Sequence, residues 1–140
     1  MSMMKFWQII LLAAAFGFAV GAAETKTFRD SSGRLTGTVT ISGNQATYRD
    51  PQGRITMTST TSGNTTTFRD PQGRLIRTQT VSGNSSTFRD AQGRLVGTSS
   101  KSGNTTTYRD AQGRNAGTAT RSGSGTTYRD AQGVNRGTKR

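Results

Sequence analysis

The chain contains no cysteine, no histidine and only two prolines. The absence of cysteine excludes disulfides, thiolate catalysis, cysteine metal sites and the lipidated cysteine of a lipoprotein. The absence of histidine removes the commonest general base and metal ligand in proteins. Serine and tyrosine are present, but no residue pattern accompanies them that could supply a base. We therefore expect no enzymatic activity, no cofactor, no metal site and no small-molecule substrate.

Hydrophobic residues are also scarce, at 29% of the 140 residues, and many of them lie within residues 1–23. The length allows one domain beyond that segment. The 19 lysines and arginines outnumber the 7 acidic residues and give a net charge of +12. A surface of this kind favours anionic partners, such as nucleic acid, an acidic polysaccharide or an anionic membrane face.

Residues 1–23 have the pattern of a secretory signal peptide. Lys5 precedes an uncharged stretch, residues 6–23, which ends in the small residues Gly21-Ala22-Ala23. We expect a signal-peptide helix that is cleaved after Ala22 or Ala23, the alternative being an uncleaved anchor. The sequence after it has no second hydrophobic stretch. The mature protein is therefore predicted to be secreted, periplasmic or at the cell surface of a bacterial envelope, without a transmembrane segment.

The remainder of the chain repeats with a period of twenty residues. Each unit has an aromatic residue, then Arg-Asp, two variable residues and a glycine. The six aromatic residues are Phe28, Tyr48, Phe68, Phe88, Tyr108 and Tyr128. A fixed period of this kind predicts a repeat architecture. The predicted domain covers residues 24–140, in units of approximately 24–43, 44–63, 64–83, 84–103, 104–123 and 124–140.

Each unit contains two turn signals. In Asp50-Pro51-Gln52-Gly53, aspartate can bond the turn backbone, proline presets φ and glycine tolerates positive φ. Gly63-Asn64 has the composition of a two-residue hairpin turn. The structural turn residues singled out are Asp50, Gly53, Gly63, Asn64, Asp70, Gly73, Gly83, Asn84, Asp90 and Gly93. The segments between the turns are rich in threonine and aromatic residues, which favours an all-β fold.

The alternation of apolar and polar residues sorts the strands into two faces. If both turns have two-residue loops, Tyr48 lies opposite Ile55 on one side and opposite Val39 on the other. The apolar face then contains Leu35, Val39, Ile41, Ala46, Tyr48, Ile55 and Met57. A bulge at Gly53 would shift the pairing by one residue and mix the faces, so we do not expect one.

Two architectures satisfy this pattern. We favour an antiparallel β-meander sheet of six strand–turn–strand repeats; the alternative is a β-solenoid with two strands per coil. An open sheet leaves its apolar face partly wet, so we expect it to curl or, as our main prediction, to self-associate. The aliphatic position of Leu95 becomes Asn115 and then Asn135. The last two repeats are therefore candidates for fraying or for a polar cap.

The run Tyr48-Arg49-Asp50-x-x-Gly53-Arg54-Ile55 resembles the core of the YD (Rhs-type) repeat, in which Tyr-Asp-x-x-Gly-Arg-Leu recurs at about this period. The arginine between the aromatic residue and the aspartate departs from that pattern. The resemblance implies strand–turn–strand units of a large curved β-shell on secreted bacterial proteins. Six units are too few to close such a shell, so we do not expect encapsulation. The composition is more weakly similar to curlin-type amyloid repeats.

The arginines are the candidate functional residues. On the predicted register, Arg49 and Arg54 face each other across the hairpin, and an anion held between the two guanidinium groups would relieve their repulsion. The candidate anion-binding residues are Arg29, Arg34, Arg49, Arg54, Arg69, Arg74, Arg89, Arg94, Arg109 and Arg114. The alternative is that they serve solubility and guard an edge. The turn aspartates are interpreted as structural.

The sequence thus suggests a secreted, non-enzymatic β-repeat protein. The face opposite the apolar one, the Arg/Thr face, carries Thr38, Thr40, Thr47, Arg49, Arg54, Thr56, Thr58 and Thr60. This face would bind an anionic polymer of the cell envelope surface, such as polysaccharide, lipopolysaccharide or extracellular DNA. The rival hypothesis is a self-assembling matrix protein or amyloid-type fibre subunit.

Overall fold

The computed structural model describes residues 22–140. The predicted signal-peptide helix falls on residues 1–23, of which residues 1–21 lie outside the described part. Twelve β-strands and the turns that join them make up the described residues. The strands are β1 (Glu24–Asp30), β2 (Leu35–Ser42), β3 (Gln45–Arg49), β4 (Ile55–Ser62), β5 (Thr65–Arg69), β6 (Leu75–Ser82), β7 (Ser85–Asp90), β8 (Leu95–Ser102), β9 (Thr105–Asp110), β10 (Asn115–Ser122), β11 (Gly125–Asp130) and β12 (Asn135–Lys139).

The twelve strands form a closed antiparallel barrel in which each strand pairs with its neighbours in sequence. The barrel closes where β1 pairs with β12, through Phe28–Lys139, Arg29–Thr138 and Asp30–Gly137. The prediction of an all-β, antiparallel fold is confirmed, whereas the open sheet and the alternative solenoid are wrong. The natural twist of a sheet brings its first and last strands together, and closure removes the two exposed edges. Six units are therefore enough to close a barrel.

The turns at Gly43-Asn44 and its equivalents are two-residue hairpin loops. Ser42 pairs with Gln45 directly across the loop, and Gly43 adopts a φ of 58°. Positive φ at the first loop position is what this type of hairpin turn requires. The predicted pairing of Val39 with Tyr48 is confirmed.

The turns at Asp50–Gly53 differ from the prediction. The Gly53 amide donates to the Asp50 carbonyl at 2.9 Å, and the Asp50 amide donates to the Arg54 carbonyl at 2.9 Å. Gly53 has a φ of 82°, so the loop has three residues and ends in a glycine bulge. The predicted two-residue loop is wrong.

A second bulge follows directly and restores the faces. Arg49 pairs with Ile55, but Tyr48 pairs with Met57, which leaves one extra residue on β4. The two shifts of one residue add to two, and a shift of two returns a side chain to its original face. Met57 is accordingly buried, whereas Ile55, between the bulges, is 41% exposed. The predicted pairing of Tyr48 with Ile55 is therefore wrong.

The inside of the barrel holds one aromatic side chain per repeat. All six are at most 7% exposed: Phe28, Tyr48, Phe68, Phe88, Tyr108 and Tyr128. Of the predicted apolar face, Val39, Ile41, Ala46, Tyr48 and Met57 are buried, but Leu35 is only half-buried and Ile55 is exposed. Because the barrel is closed, its apolar face is enclosed within one chain. The apolar face is therefore no longer a reason to expect self-association. Self-association stays an untested prediction.

The last two repeats complete the barrel. Strands β11 and β12 are paired on both sides, and Tyr128 of β11 is fully buried. The position at which Asn115 and Asn135 replace Leu95 lies on the exposed side of the bulge. The loss of aliphatic residues there consequently does not reach the core.

A candidate anion-binding site at one end of the barrel

The up-and-down topology gathers all six Asp-x-x-Gly turns at one end of the barrel and the Gly-Asn turns at the other. Two arginines flank each Asp-x-x-Gly turn in the first five repeats, and one does so in the sixth. We call this set the arginine rim: Arg29, Arg34, Arg49, Arg54, Arg69, Arg74, Arg89, Arg94, Arg109, Arg114 and Arg129. All eleven side chains belong to exposed residues. The structure thus places the ten predicted anion-binding residues, together with Arg129, on one surface.

Each turn is held by its aspartate. Asp50 Oδ1 accepts hydrogen bonds from the amides of Gln52 and Arg54, both at 2.9 Å. Asp50 Oδ2 forms an ion pair with Arg54 Nε at 2.7 Å. The same amide contacts recur in the other five turns. The aspartate side chain thus stabilises the turn by accepting hydrogen bonds from its backbone.

These contacts also fix the charge of the carboxylates. Partial burial raises the pKa of Asp50, but hydrogen bonds from the Arg54 backbone and side chain outweigh it, so the pKa lies below its ordinary value. Asp70, Asp90, Asp110 and Asp130 behave in the same way. A carboxylate with a lowered pKa stays ionised and is a weaker base than an ordinary aspartate. The bonds to the turn amides give each of these aspartates a structural role.

The arginine before each aspartate reaches over its own turn. Arg49 Nη1 donates to the Gly53 carbonyl at 3.0 Å. The equivalent bond exists in all six turns, at 2.9 to 3.1 Å. This bond orients the guanidinium with a single N–H group, and four further N–H groups remain on each arginine.

The predicted opposition of Arg49 and Arg54 is wrong. Arg49 pairs with Ile55 because the glycine bulge shifts the register, and Arg54 lies beside Asp50 instead. The two arginines of a repeat are therefore not paired across their hairpin. The positive charge accumulates around the end of the barrel, where each of the first five turns carries two arginines and one aspartate.

The sixth repeat departs from the others. Val134 occupies the position of the second arginine, and Arg136 pairs with Asp130 instead, with Nη2 at 2.6 Å from Oδ2. Asp130 is 5% exposed and is the most buried of the turn carboxylates. The rim is therefore least basic at Val134.

The barrel interior contains charged and polar residues that the sequence interpretation did not single out. Arg77 is 7% exposed, and its guanidinium lies 5.5 Å from the centre of the Phe68 ring. Burial lowers the pKa of Arg77 to about 10. Lys139 is 6% exposed, and burial together with nearby Lys26 lowers its pKa to about 8. Arg77 lies twenty residues after Met57, at the equivalent position of the next repeat. The period could therefore have identified Arg77 as an interior residue.

Three of the six buried aromatic residues are tyrosines: Tyr48, Tyr108 and Tyr128. Burial raises the pKa of Tyr48 and of Tyr108 to about 12. Burial raises the pKa of Tyr128 still further, and both other tyrosines contribute to that rise. The three phenols therefore stay protonated at neutral pH, and their burial makes them part of the core.

Within residues 22–140, no group of three or more acidic residues is placed to hold a metal ion. The same residues contain no helix long and apolar enough to cross a membrane. No protein-family model matches the chain, and no curated protein matches it significantly. The resemblance to YD (Rhs-type) and curlin-type repeats therefore remains a prediction.

Proposed function

We propose that the chain is a secreted, non-enzymatic β-barrel that binds an anionic surface polymer through the arginine rim. The observation that carries the proposal is the topology: one end of the barrel collects eleven arginines but only six aspartates. Secretion is part of the proposal and depends on the signal-peptide pattern of residues 1–23. Polysaccharide with phosphate or sulfate groups, lipopolysaccharide and extracellular DNA all carry repeated negative groups.

The rim guanidinium groups are oriented yet accessible. The Arg54 side chain, although paired with Asp50, is 77% exposed. Arg49 is held by the Gly53 carbonyl rather than by a carboxylate, so its charge is not neutralised. Guanidinium groups with free N–H donors form strong bidentate contacts with phosphate and sulfate. Successive hairpins repeat at about 10 Å around the barrel, since each spans two strand spacings.

The rival hypothesis is a fibre subunit that grows by pairing strand edges. Because β1 through β12 each pair with two neighbours, the barrel offers a second chain no complete edge strand. This arrangement supports polymer binding better than fibre growth, so polymer binding is the function that we propose.

Removal of charge from the two ends of the barrel tests the proposal. The double variant R69Q/R89Q removes two rim charges, and the matched control K101Q/R121Q removes two exposed charges near the Gly-Asn turns. We expect the rim variant to bind heparin and DNA at least about tenfold more weakly, since each site loses charge-assisted hydrogen bonds. The salt dependence of binding should also become shallower.

The control variant should change affinity much less than the rim variant, and circular dichroism should show the same β-signature for both. Equal weakening by the two double variants would mean that net charge alone drives binding. That result, or unchanged binding by R69Q/R89Q, would contradict a binding site at the rim.

A further inference from the structure

The exposed aliphatic side chains concentrate at the same end of the barrel. Among the described residues, five large hydrophobic side chains are exposed. Four of them adjoin the Asp-x-x-Gly turns: Ile55 at 41%, Leu75 at 36%, Leu95 at 40% and Val134 at 51%. The fifth, Val81 at 38%, lies near the other end. The arginine rim is therefore aliphatic as well as cationic.

The two kinds of side chain are interleaved by the register. Arg49 pairs directly with Ile55, Arg69 with Leu75 and Arg89 with Leu95. Each aliphatic residue lies between the two bulges, which turn it away from the core. The backbone itself thus places an exposed aliphatic side chain beside an exposed guanidinium group.

The turn does not need an aliphatic residue at this position. In the fifth repeat the position is Asn115, whose Oδ1 accepts the Gly117 amide at 3.1 Å. Asn135 makes the equivalent bond to Gly137 at 2.9 Å in the sixth repeat. Both polar versions retain the same pairing and the same bulge. The exposed isoleucine and leucines therefore call for an explanation other than folding.

We propose that the arginine rim docks on the surface of an anionic lipid bilayer. The arginines would bind the phosphates of the lipid headgroups while Ile55, Leu75 and Leu95 enter the boundary with the acyl chains. Arginine suits this depth because its aliphatic stem can lie along apolar groups while its charge stays at the phosphates. Apolar burial and attraction to anionic lipid act together in such binding. The inference rests on the proposed function, and it narrows the anionic partner to an amphiphilic surface.

The shape of the site agrees with a planar partner. All six Asp-x-x-Gly turns face the same end of one closed barrel, so a flat surface can contact several of them at once. When several turns bind the same surface at once, the overall affinity exceeds the affinity of any single turn.

The first experiment compares vesicles of phosphatidylcholine alone with vesicles that contain phosphatidylglycerol, in a sedimentation assay. The unaltered protein should bind only the anionic vesicles. The triple variant I55S/L75S/L95S keeps every arginine and should bind them about tenfold more weakly, because apolar burial is lost. Its affinity for heparin should stay unchanged. The matched control V81S should behave like the unaltered protein.

A second experiment does not depend on loss of binding. In a W7F background, L75W introduces a single tryptophan at the rim, and V81W introduces one at the other end. Anionic vesicles should shift the emission of the L75W protein to shorter wavelength and leave V81W unshifted. Neutral vesicles should shift neither.

The outcomes separate the two proposals. If R69Q/R89Q weakens heparin binding but I55S/L75S/L95S binds vesicles normally and L75W shows no shift, the lipid inference is overturned while polymer binding stands. If R69Q/R89Q also leaves heparin binding unchanged, the proposed function itself fails. Binding of neutral vesicles as strongly as anionic ones would likewise overturn the docking mode.

Discussion

The first half of the barrel consists of repeats one to three and the second half of repeats four to six. The interiors of the two halves differ. In the first half, Phe28, Tyr48 and Phe68 pack with Val39, Ile41, Ala46 and Met57. In the second half, Phe88, Tyr108 and Tyr128 pack with Ala119 and little else that is fully buried. The equivalents of Val39 and Met57 there are Ser99 and Gly117. Strand pairing and turns are nevertheless the same in both halves.

The comparison shows which residues define the barrel. The aromatic residue, the Asp-x-x-Gly turn and the Gly-Asn type of turn occur in both halves, whereas the fully buried valine, isoleucine and methionine occur only in the first half. At the boundaries between the halves, Gln79 on β6 and its equivalent Lys139 on β12 are both buried. The second half therefore closes with few buried aliphatic residues, and those of the first half add to its packing.

The largest expected effect tests whether both halves depend equally on their aromatic residues. Tyr48 and Tyr108 occupy equivalent positions, and each is 3% exposed. We expect Y48A and Y108A each to lower the free energy of unfolding by about 3–5 kcal/mol, as for other buried aromatic residues. Urea denaturation measures both values. A cost for Y108A below about 1 kcal/mol would show that the second half contributes little to the core.

The next effect concerns the boundary on β6. Arg77 is buried against Phe68, and its equivalent one repeat earlier is Met57. Replacing buried ion pairs with apolar residues of similar volume is often neutral or stabilising, by about 1–4 kcal/mol, because the charges no longer have to be desolvated. We expect R77M to unfold at higher urea concentration and to extend the first hydrophobic cluster. Destabilisation by R77M would mean that Arg77 stabilises the barrel more than its desolvation costs.

The boundary on β12 predicts a pH dependence. Burial lowers the pKa of Lys139 to about 8 from its ordinary 10.5. Between these values the unfolded chain binds a proton that the folded barrel has released, so stability should rise with pH in this window. The melting temperature should therefore increase from about pH 7.5 to about pH 9, where few tyrosines of the unfolded chain are ionised. K139M should abolish most of the rise, and an equally steep rise in K139M would exclude Lys139 as its source.

The smallest effect concerns the position that is Leu95 in the fourth repeat and Asn115 in the fifth. Leu95 is 40% exposed, so L95N should change the free energy of unfolding by no more than about 0.5 kcal/mol. N115L removes the hydrogen bond to the Gly117 amide and should cost about 1 kcal/mol. Thermal melts of the two variants measure these differences. A large loss of stability in L95N would show that the exposed aliphatic residues are structural after all.

Much of the fold follows from local chemistry. The hairpins were predictable because glycine, asparagine and aspartate at fixed offsets specify turns, and the burial of Val39, Tyr48 and Met57 follows from alternation. The register at Gly53 was not predictable, because a three-residue loop followed by a second bulge leaves the same binary pattern as a two-residue loop without bulges. Only the position of Ile55 distinguishes the two.

Closure could not be derived from the repeat. The pairing of β1 with β12 joins residues at opposite ends of the described chain, and neither strand carries a signal for the other. For the candidate site, the arginines were identified from the sequence. Their arrangement was predicted incorrectly because it depends on the bulge and on closure.

Closure of six repeats into one barrel within one chain is the central claim, and a disulfide across the closing pair tests it directly. Arg29 and Thr138 are paired between β1 and β12, and the neighbouring pair Thr27 and Arg140 exchanges both backbone hydrogen bonds. Alternation makes Arg29 and Thr138 a hydrogen-bonded pair as well, with Cα atoms about 5.5 Å apart, within reach of a disulfide.

Because the chain contains no cysteine, R29C/T138C introduces the only two thiols. Under mild oxidation at low protein concentration, intact mass and non-reducing electrophoresis should show a disulfide within the monomer. The control T58C/T138C places one cysteine on β4 instead and should stay reduced. Formation of disulfide-linked dimers alone by R29C/T138C, or equal reactivity of the control pair, would contradict the closed barrel.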